Sequence, residues 1–385
     1  NAKILEALAG GVNAIELFHL GVDTDFATLL ENIQIDILEI YLHVDSRYGI
    51  KIIESFKTYL TQKGYNNEAI RGGIIFDPIA ELASTGRIKF NEDLVAVLIQ
   101  FRKEYTNLTT FGVSAVTYAE AGANITTQIA CALSHGHEYI VQCLESGEQL
   151  KDVVNGIEFS FSMGTSYFLE IAKIRAFRTL WATIINEYDE SLTDFEIKIH
   201  AQTSNLYYSL KDKYNNLLRA TTSGMSAVLA GVNSLTVLPF DVNEQVDSTS
   251  FGLRIAKNIQ LLMQEEAYLN QVIDPAGGSY YIEELTQKIE EKAWEEFKTI
   301  EEKGGIMQAL IQEEIQPIIK KQLAQKIAQL KDGSKIMVGV NKFENKEDKL
   351  GKPKEHLLAG KTVVEPLIAQ RLAQVFENES IKIVE

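Results

Sequence analysis

The sequence predicts an α/β fold: a (β/α)8 barrel over residues 1–281, a helical annex packed on it over 282–345, and a linker and tail over 346–385. Three observations carry that reading. Runs of strand length alternate with amphipathic stretches of helix length across about 270 residues, and so many equal repeats suit a closed barrel better than an open sheet. The stretch 195–241 shows the repeating unit whole: a strand, a polar loop, a helix and a second strand. Beyond Tyr281 the strand-like runs give way to charged helices, whose charge reads as a solvated face.

Each element has a local reason. Ile4 to Leu8 is a short helix broken at Gly10-Gly11, and Ala14 to Phe18 is the first strand. Phe26 to Asn32 is helical with Leu29 and Leu30 on one face, and Asp36 to Leu42 is the second strand. Ile52, Ile53, Phe56, Tyr59 and Leu60 lay an apolar stripe along a helix over 50–62. The third strand, Gly73 to Asp77, stops at Pro78; a helix over 93–105 leads to the fourth, Thr110 to Val116. Thr126 to Leu144 is a long helix and Glu158 to Met163 the fifth strand. From Tyr167 to Tyr188 the residues Ile171, Ile174, Phe177, Trp181 and Ile184 form one apolar face that should pack on the sheet. Phe195 to His200 alternates as a sixth strand, with Gln202 to Asn205 as its loop. A helix from Asn215 stops near Gly231, and Ser234 to Phe240 is the seventh strand. The eighth is assigned to Val272-Ile273-Asp274, before Pro275. The annex then holds helices over 283–303 and 306–330 and a β-like run from Ile336 to Asn341. The tail ends in a helix to Phe376 that docks on this chain or on a partner.

Composition narrows the partners. A formal net charge of −16 argues against nucleic acid or an anionic membrane surface, both of which need a basic face. No apolar run reaches the roughly 18 residues of a membrane span, and the start resembles an amphipathic helix more than a signal peptide. A cytoplasmic location is expected, with further residues upstream. Cys131 and Cys143, the only cysteines, make neither a disulfide framework nor a metal set and suit a reducing compartment.

Taken alone, the polar residues specify no reaction. Of the six histidines, only His135 and His137 lie close together, and their placement favours a capping or surface role over a metal. The turn Asp274-Pro275-Ala276-Gly277-Gly278-Ser279 lacks the strand-to-helix spacing of a phosphate loop. His19 and His200 sit at predicted strand ends, where barrel enzymes place catalytic groups, although a hydrogen-bonded structural histidine is the commoner occupant. Lys198 lies within a predicted strand and should face outward or pair.

A succession of motifs changes the picture. His200-Ala201-Gln202-Thr203-Ser204, then Tyr214-Asn215-Asn216 and Arg219-Ala220-Thr221, resembles the sixth barrel strand and following helix of the adenosylcobalamin-dependent methylmalonyl-CoA mutases. Glu120-Ala121-Gly122-Ala123-Asn124, Glu170 to Ala176 with Leu180-Trp181-Ala182, Arg254 to Asn258, Asp274-Pro275, Gly277-Gly278-Ser279, Lys303-Gly304-Gly305 and Val338 to Lys342 follow in family order over about 330 residues. The resemblance implies a TIM barrel and a cobalamin-dependent interconversion of (R)-methylmalonyl-CoA and succinyl-CoA.

The departures from that pattern are as informative. Where catalytic members carry a Tyr-His pair before the Glu-Ala-Gly-Ala segment, this chain has Val116 and Thr117. Their glutamine and carboxylate-binding arginine after the third strand become Ile75 and Thr85, with Arg87 near but out of register. Ser234-Leu235-Thr236-Val237-Leu238 replaces a Ser-Leu-His-Thr-Asn segment, and no Asp-x-His-x-x-Gly cobalt-ligand loop of a flavodoxin-like cobalamin domain occurs. Valine and threonine cannot lend an imidazole or guanidinium to a thioester or carboxylate. The resemblance therefore implies a non-catalytic small subunit, with adenosylcobalamin held by a large-subunit partner, no metal here, and Glu120, His200, Gln202 and Ser204 as vestigial mouth positions. An obligate heterodimer burying well over roughly 2,000 Å² is expected, with annex and tail in the interface. On that view, deleting 361–385 leaves the barrel folded but weakens pairing, and a homodimer substitutes when the chain is alone. Two rivals stand beside this reading. One is a mutase acting on another CoA ester through Arg87, His19 and His200; the other is a cofactor-independent barrel lyase or hydrolase.

Overall fold

The computed structural model describes residues 1–87, 91–245, 247–348, 350–354 and 362–377. Among them, seven strands form one sheet: β1 (Ala14–Leu17), β2 (Glu39–His43), β3 (Arg71–Phe76), β4 (Leu108–Ser114), β5 (Ile157–Met163), β6 (Lys198–Thr203) and β7 (Ser234–Thr236). They pair in sequence order and every pair is parallel. Such an order is what successive right-handed crossovers produce. The sheet curls into a nearly closed barrel, and the Thr236 hydroxyl on β7 reaches to 3.4 Å from Glu16 on β1.

The helices are α1 (Ala2–Ala9), α2 (Phe26–Leu29), α3 (Gly49–Lys63), α4 (Pro78–Thr85), α5 (Glu92–Glu104), α6 (Ala115–Glu120), α7 (Ile125–Glu145), α8 (Leu150–Asn155), α9 (Tyr167–Tyr188), α10 (Asn215–Leu229), α11 (Ser250–Glu265), α12 (Tyr280–Glu301), α13 (Gly305–Ile311), α14 (Ile315–Lys331) and α15 (Gln374–Glu377). Ile40, Leu42, Ile74 and Phe76 on the outer face of β2 and β3 pack with Ile52, Phe56, Leu94 and Leu98 of α3 and α5. A larger core joins β4 and β5 to α7, α9, α12 and α13. At its centre Trp181 of α9 meets Phe159 of β5 edge-on at 4.8 Å. Gly136 lets α7 close onto that ring, because a Cβ there would stand 2.8 Å from the indole.

Several expectations need correcting. Residues 272–274 are not a strand: Ile273 is 97% exposed, and seven strands are all that the described residues contain. The third strand does stop before Pro78, but Pro78 also opens a helix that was not expected, because Asp77 caps α4 by accepting from the Ala80 N–H at 2.8 Å and proline suits the first helical position. β6 runs through Gln202 and Thr203, whose polarity had read as a loop, and β7 stops at Thr236 instead of Phe240. The segment 336–341 is a turn bridged once, Val338 to Lys342.

The tail docks on this chain. Val364 and Leu367 enter the larger core, and Leu372 and Ala373 enter a cluster with Leu206 and Val340. Backbone N–H groups of Val363, Leu367, Gln370 and Leu372 donate to the carbonyls of Gly86, Ala83, Glu120 and Leu206. The segment therefore runs along the carboxyl-end side of the sheet, from the end of α4 to the loop after β6. Lys361 and residues 378–385, which the tail-deletion expectation includes, lie outside the described residues, as does His356.

Candidate functional site

The barrel interior is polar where such barrels normally stack branched apolar side chains. Strand alternation places Ile15, Ile40, Leu42, Phe159, Phe161, Ile199 and Ala201 in the outer cores. The opposite face carries Glu16; Glu39, Tyr41 and His43; Glu158, Ser160 and Ser162; Lys198, His200 and Gln202; and Ser234 and Thr236. Several of these groups bond one another or a neighbour. Tyr41 donates to Glu39 at 2.8 Å, His43 stands 3.3 Å from Glu16, His200 Nδ1 is 2.8 Å from the Ser234 hydroxyl, and Thr109 donates to Glu158 at 3.1 Å.

Their ionisation follows from this enclosure. Burial pushes the Glu158 carboxyl up to about 8, against the opposing pull of Thr109 and Lys198, with Glu16 and Glu39 adding repulsion. Burial opposes the Glu16 charge too, yet the His43 hydrogen bond and the nearby His200 hold that carboxyl below its ordinary value. His200 is pushed down, chiefly by burial. Lys198 stands opposite Glu158 in the β5–β6 register and attracts its charge across the strands.

At the mouth, α6 starts where β4 ends and places Val116 and Thr117 half-buried at the rim, with the Thr117 hydroxyl 3.3 Å from Ser114 Oγ. Ile75 fills interior space that Gly73 and Gly112 leave open; a Cβ at either glycine would lie within 3 Å of it. Thr85 does not join them. It ends α4, bonds back to the Glu81 carbonyl at 2.6 Å, and neighbours the docked tail.

Of the vestigial positions, the structure unites Glu120 and Ser204 at 2.8 Å. Glu120 also accepts from Ser162 and from the Leu206 N–H, and burial raises its carboxyl against these bonds. It latches α6 to the exit of β6. His200 and Gln202 belong to the interior set instead. His19 is exposed in a left-handed conformation (φ 56°), and Arg87 is half-buried near the end of α4. His135 and His137 lie within α7, which overturns the capping or surface reading. His135 is fully buried, 2.9 Å from Asp77 and bonded to Tyr118 and Tyr139, while His137 bonds Glu301 and Tyr188. Both cysteines are buried, and burial pushes the Cys143 thiol up to about 11.

Sequence reasoning missed Glu16, Glu39 and Glu158. The signal was there, in polar residues two apart on strands whose alternate residues are apolar. Among the described residues no set of three or more His, Cys, Asp or Glu is placed to hold a metal ion, and no helix is long and apolar enough to cross a membrane.

Comparison with known proteins places these features. The family profile described as methylmalonyl-CoA mutase matches residues 19–383. A methylmalonyl-CoA mutase small subunit of Porphyromonas gingivalis is 34% identical over 391 residues, covering 98% of this chain and 63% of that protein. A small subunit of the same name from Streptomyces virginiae is 32% identical over 80% of this chain and 50% of its own length. A methylmalonyl-CoA mutase of Rhizobium meliloti is 31% identical over 83% of this chain and 45% of its own length. The chain spans roughly half of the curated relatives it matches.

Proposed function

The chain belongs to the methylmalonyl-CoA mutase family, and from that premise we propose that it is the non-catalytic small subunit of a heterodimeric mutase. Its large-subunit partner would bind adenosylcobalamin and interconvert (R)-methylmalonyl-CoA and succinyl-CoA. The carrying observation is the rim of β4, where Val116 and Thr117 offer neither an acid nor an aromatic ring and the Thr117 hydroxyl is turned to Ser114. Neither side chain can lend an imidazole or guanidinium to a charge developing at that mouth. Two relatives that bear the small-subunit name support the assignment.

Apart from the exposed His19, the described imidazoles are engaged by neighbours in this chain, which speaks against their ligating cobalamin. Buried imidazoles at His135 and His200 are committed to protein partners, His137 is bonded on both ring nitrogens, and His43 is stacked on Phe18 at 4.0 Å. Glu120 is saturated by its own neighbours. The polar interior favours one alternative, a mutase acting alone on another CoA ester. One assay separates the two readings. The purified chain supplied with adenosylcobalamin should show no turnover of methylmalonyl-CoA, while its complex with the large subunit is active. Turnover by the isolated chain sinks the small-subunit reading.

A further inference from the structure

Off the barrel axis, on the carboxyl-end side of β4, β5 and β6, lies a cavity of about 350 Å³. Its walls are largely apolar, including Ala123, Ile125, Leu169, Leu206, Leu285 and Ile289. That volume suits a small organic ligand. Four lysines stand on it: Lys288 and Lys292 of α12, Lys326 of α14, and Lys335 just beyond α14.

Those charges are poorly balanced, in a chain whose net charge is −16. Lys288 is bridged to Glu284. Lys326 instead holds two neutral oxygens, the Gly122 carbonyl at 2.7 Å and Asn124 Oδ1. Among the described residues, neither Lys292 nor Lys335 has a carboxylate partner. The carboxylate lining the cavity, Glu170, is already taken by the buried Lys173. Burial, reinforced by Lys335, drives the Lys326 ammonium down to about 8, the mark of a cation lacking a counter-charge.

The rest of the lining supplies neutral donors. The first turns of α7 and α9, each more than 20 residues long, contribute Asn124, Ile125, Thr126, Ser166 and Leu169. The Asn124 N–H is taken by Gln322 and the Thr126 hydroxyl by Glu296, but the dipoles of the two helices still favour negative charge at these ends. The Tyr207 phenol also lines the cavity, with no hydrogen-bond partner among the described residues.

We propose that this cavity is a binding site for a small organic oxyanion, a carboxylate or a phosphate monoester with a short apolar body. The apolar walls take the body and the lysines the charge. The site belongs to this chain alone and does not depend on its role as a subunit.

Calorimetric titration of the full chain with butyl phosphate, butyrate and 1-butanol tests it. Both anions should bind and butanol should not, and the tighter of the two anions identifies the preferred head group. Lys292→Gln and Lys335→Gln, at exposed positions, should each weaken binding about three- to tenfold, and added salt should weaken it further. Above pH 8 binding should take up a proton as Lys326 recharges, seen as a dependence of the heat on buffer ionisation, and Lys326→Met should remove that uptake. Thermal melts confirm that each variant is folded. Butanol binding as tightly as butyl phosphate, an unchanged affinity in Lys292→Gln/Lys335→Gln, or no heat with either anion at about 10 mM overturns the proposal.

Discussion

Glu158 shows how one residue records the peculiarity of this barrel. A carboxyl pushed up to about 8 is protonated in the fold at neutral pH, whereas the unfolded chain leaves it near 4.5. The unfolded state therefore releases the proton first as pH rises. Stability from this group is full below about pH 4.5 and is lost through the folded value near 8, at up to about 1.4 kcal/mol per unit. Glu16, held low, acts in the opposite sense and only in acid. Glu158→Gln, which retains an acceptor for Thr109, should flatten the decline between pH 5 and pH 8 and melt above the parent at pH 8. Thermal melts across that window check it, and parallel profiles for the two proteins would contradict the assignment. The family motifs made Val116, Thr117 and Ile75 legible. The carboxylates were not, because their role exists only once seven strands turn one face inward.

At the scale of elements, the bounds of α9 were readable because a long apolar stripe runs along it, although its buried face also takes Lys173, which is bonded to Glu170 and the Ser162 carbonyl. Short elements were harder. The polar end of β6 faces a polar interior, so the usual link between polarity and loop fails there, and an eighth strand was assigned to apolar residues that in fact lie exposed. Helix α4 was missed because the proline that ends a strand is also, with Asp77 as its cap, the start of a helix. The same helix α9 yields a sharp expectation. Trp181 is 1% exposed between Phe159 and α7, so Trp181→Ala opens a large cavity and should cost about 3–5 kcal/mol in denaturant unfolding. A loss below about 1 kcal/mol would mean that α9 does not seal the core as described.

The whole molecule inverts one expectation about its tail. Val364, Leu367, Leu372 and Ala373 are buried in this chain's own cores, and the Glu377 carboxylate pairs with Arg371 and accepts from Ser209 and the Leu210 N–H. Burying such side chains is worth roughly 1.5–3 kcal/mol each for the larger ones. Deleting 362–377 should therefore lower the melting temperature markedly instead of leaving the barrel intact. A truncated chain that melts like the parent would restore the tail to a partner's surface. With the tail docked on this chain, association should depend on another region. Large apolar side chains lie exposed along α11 and the loop into α12: Leu253, Leu262, Tyr268, Val272, Ile273 and Tyr280. Single exposed apolar residues are ordinary, but a run of them on neighbouring segments is the usual mark of an interface. If the chain pairs with a large subunit, Ile273→Glu together with Tyr280→Glu should leave its melting temperature unchanged, since Ile273 is 97% and Tyr280 94% exposed. The same pair of changes should weaken complex formation in sedimentation by at least about tenfold, the effect of losing roughly 1.4 kcal/mol of binding. Unchanged pairing by that double variant would move the interface away from the loop into α12.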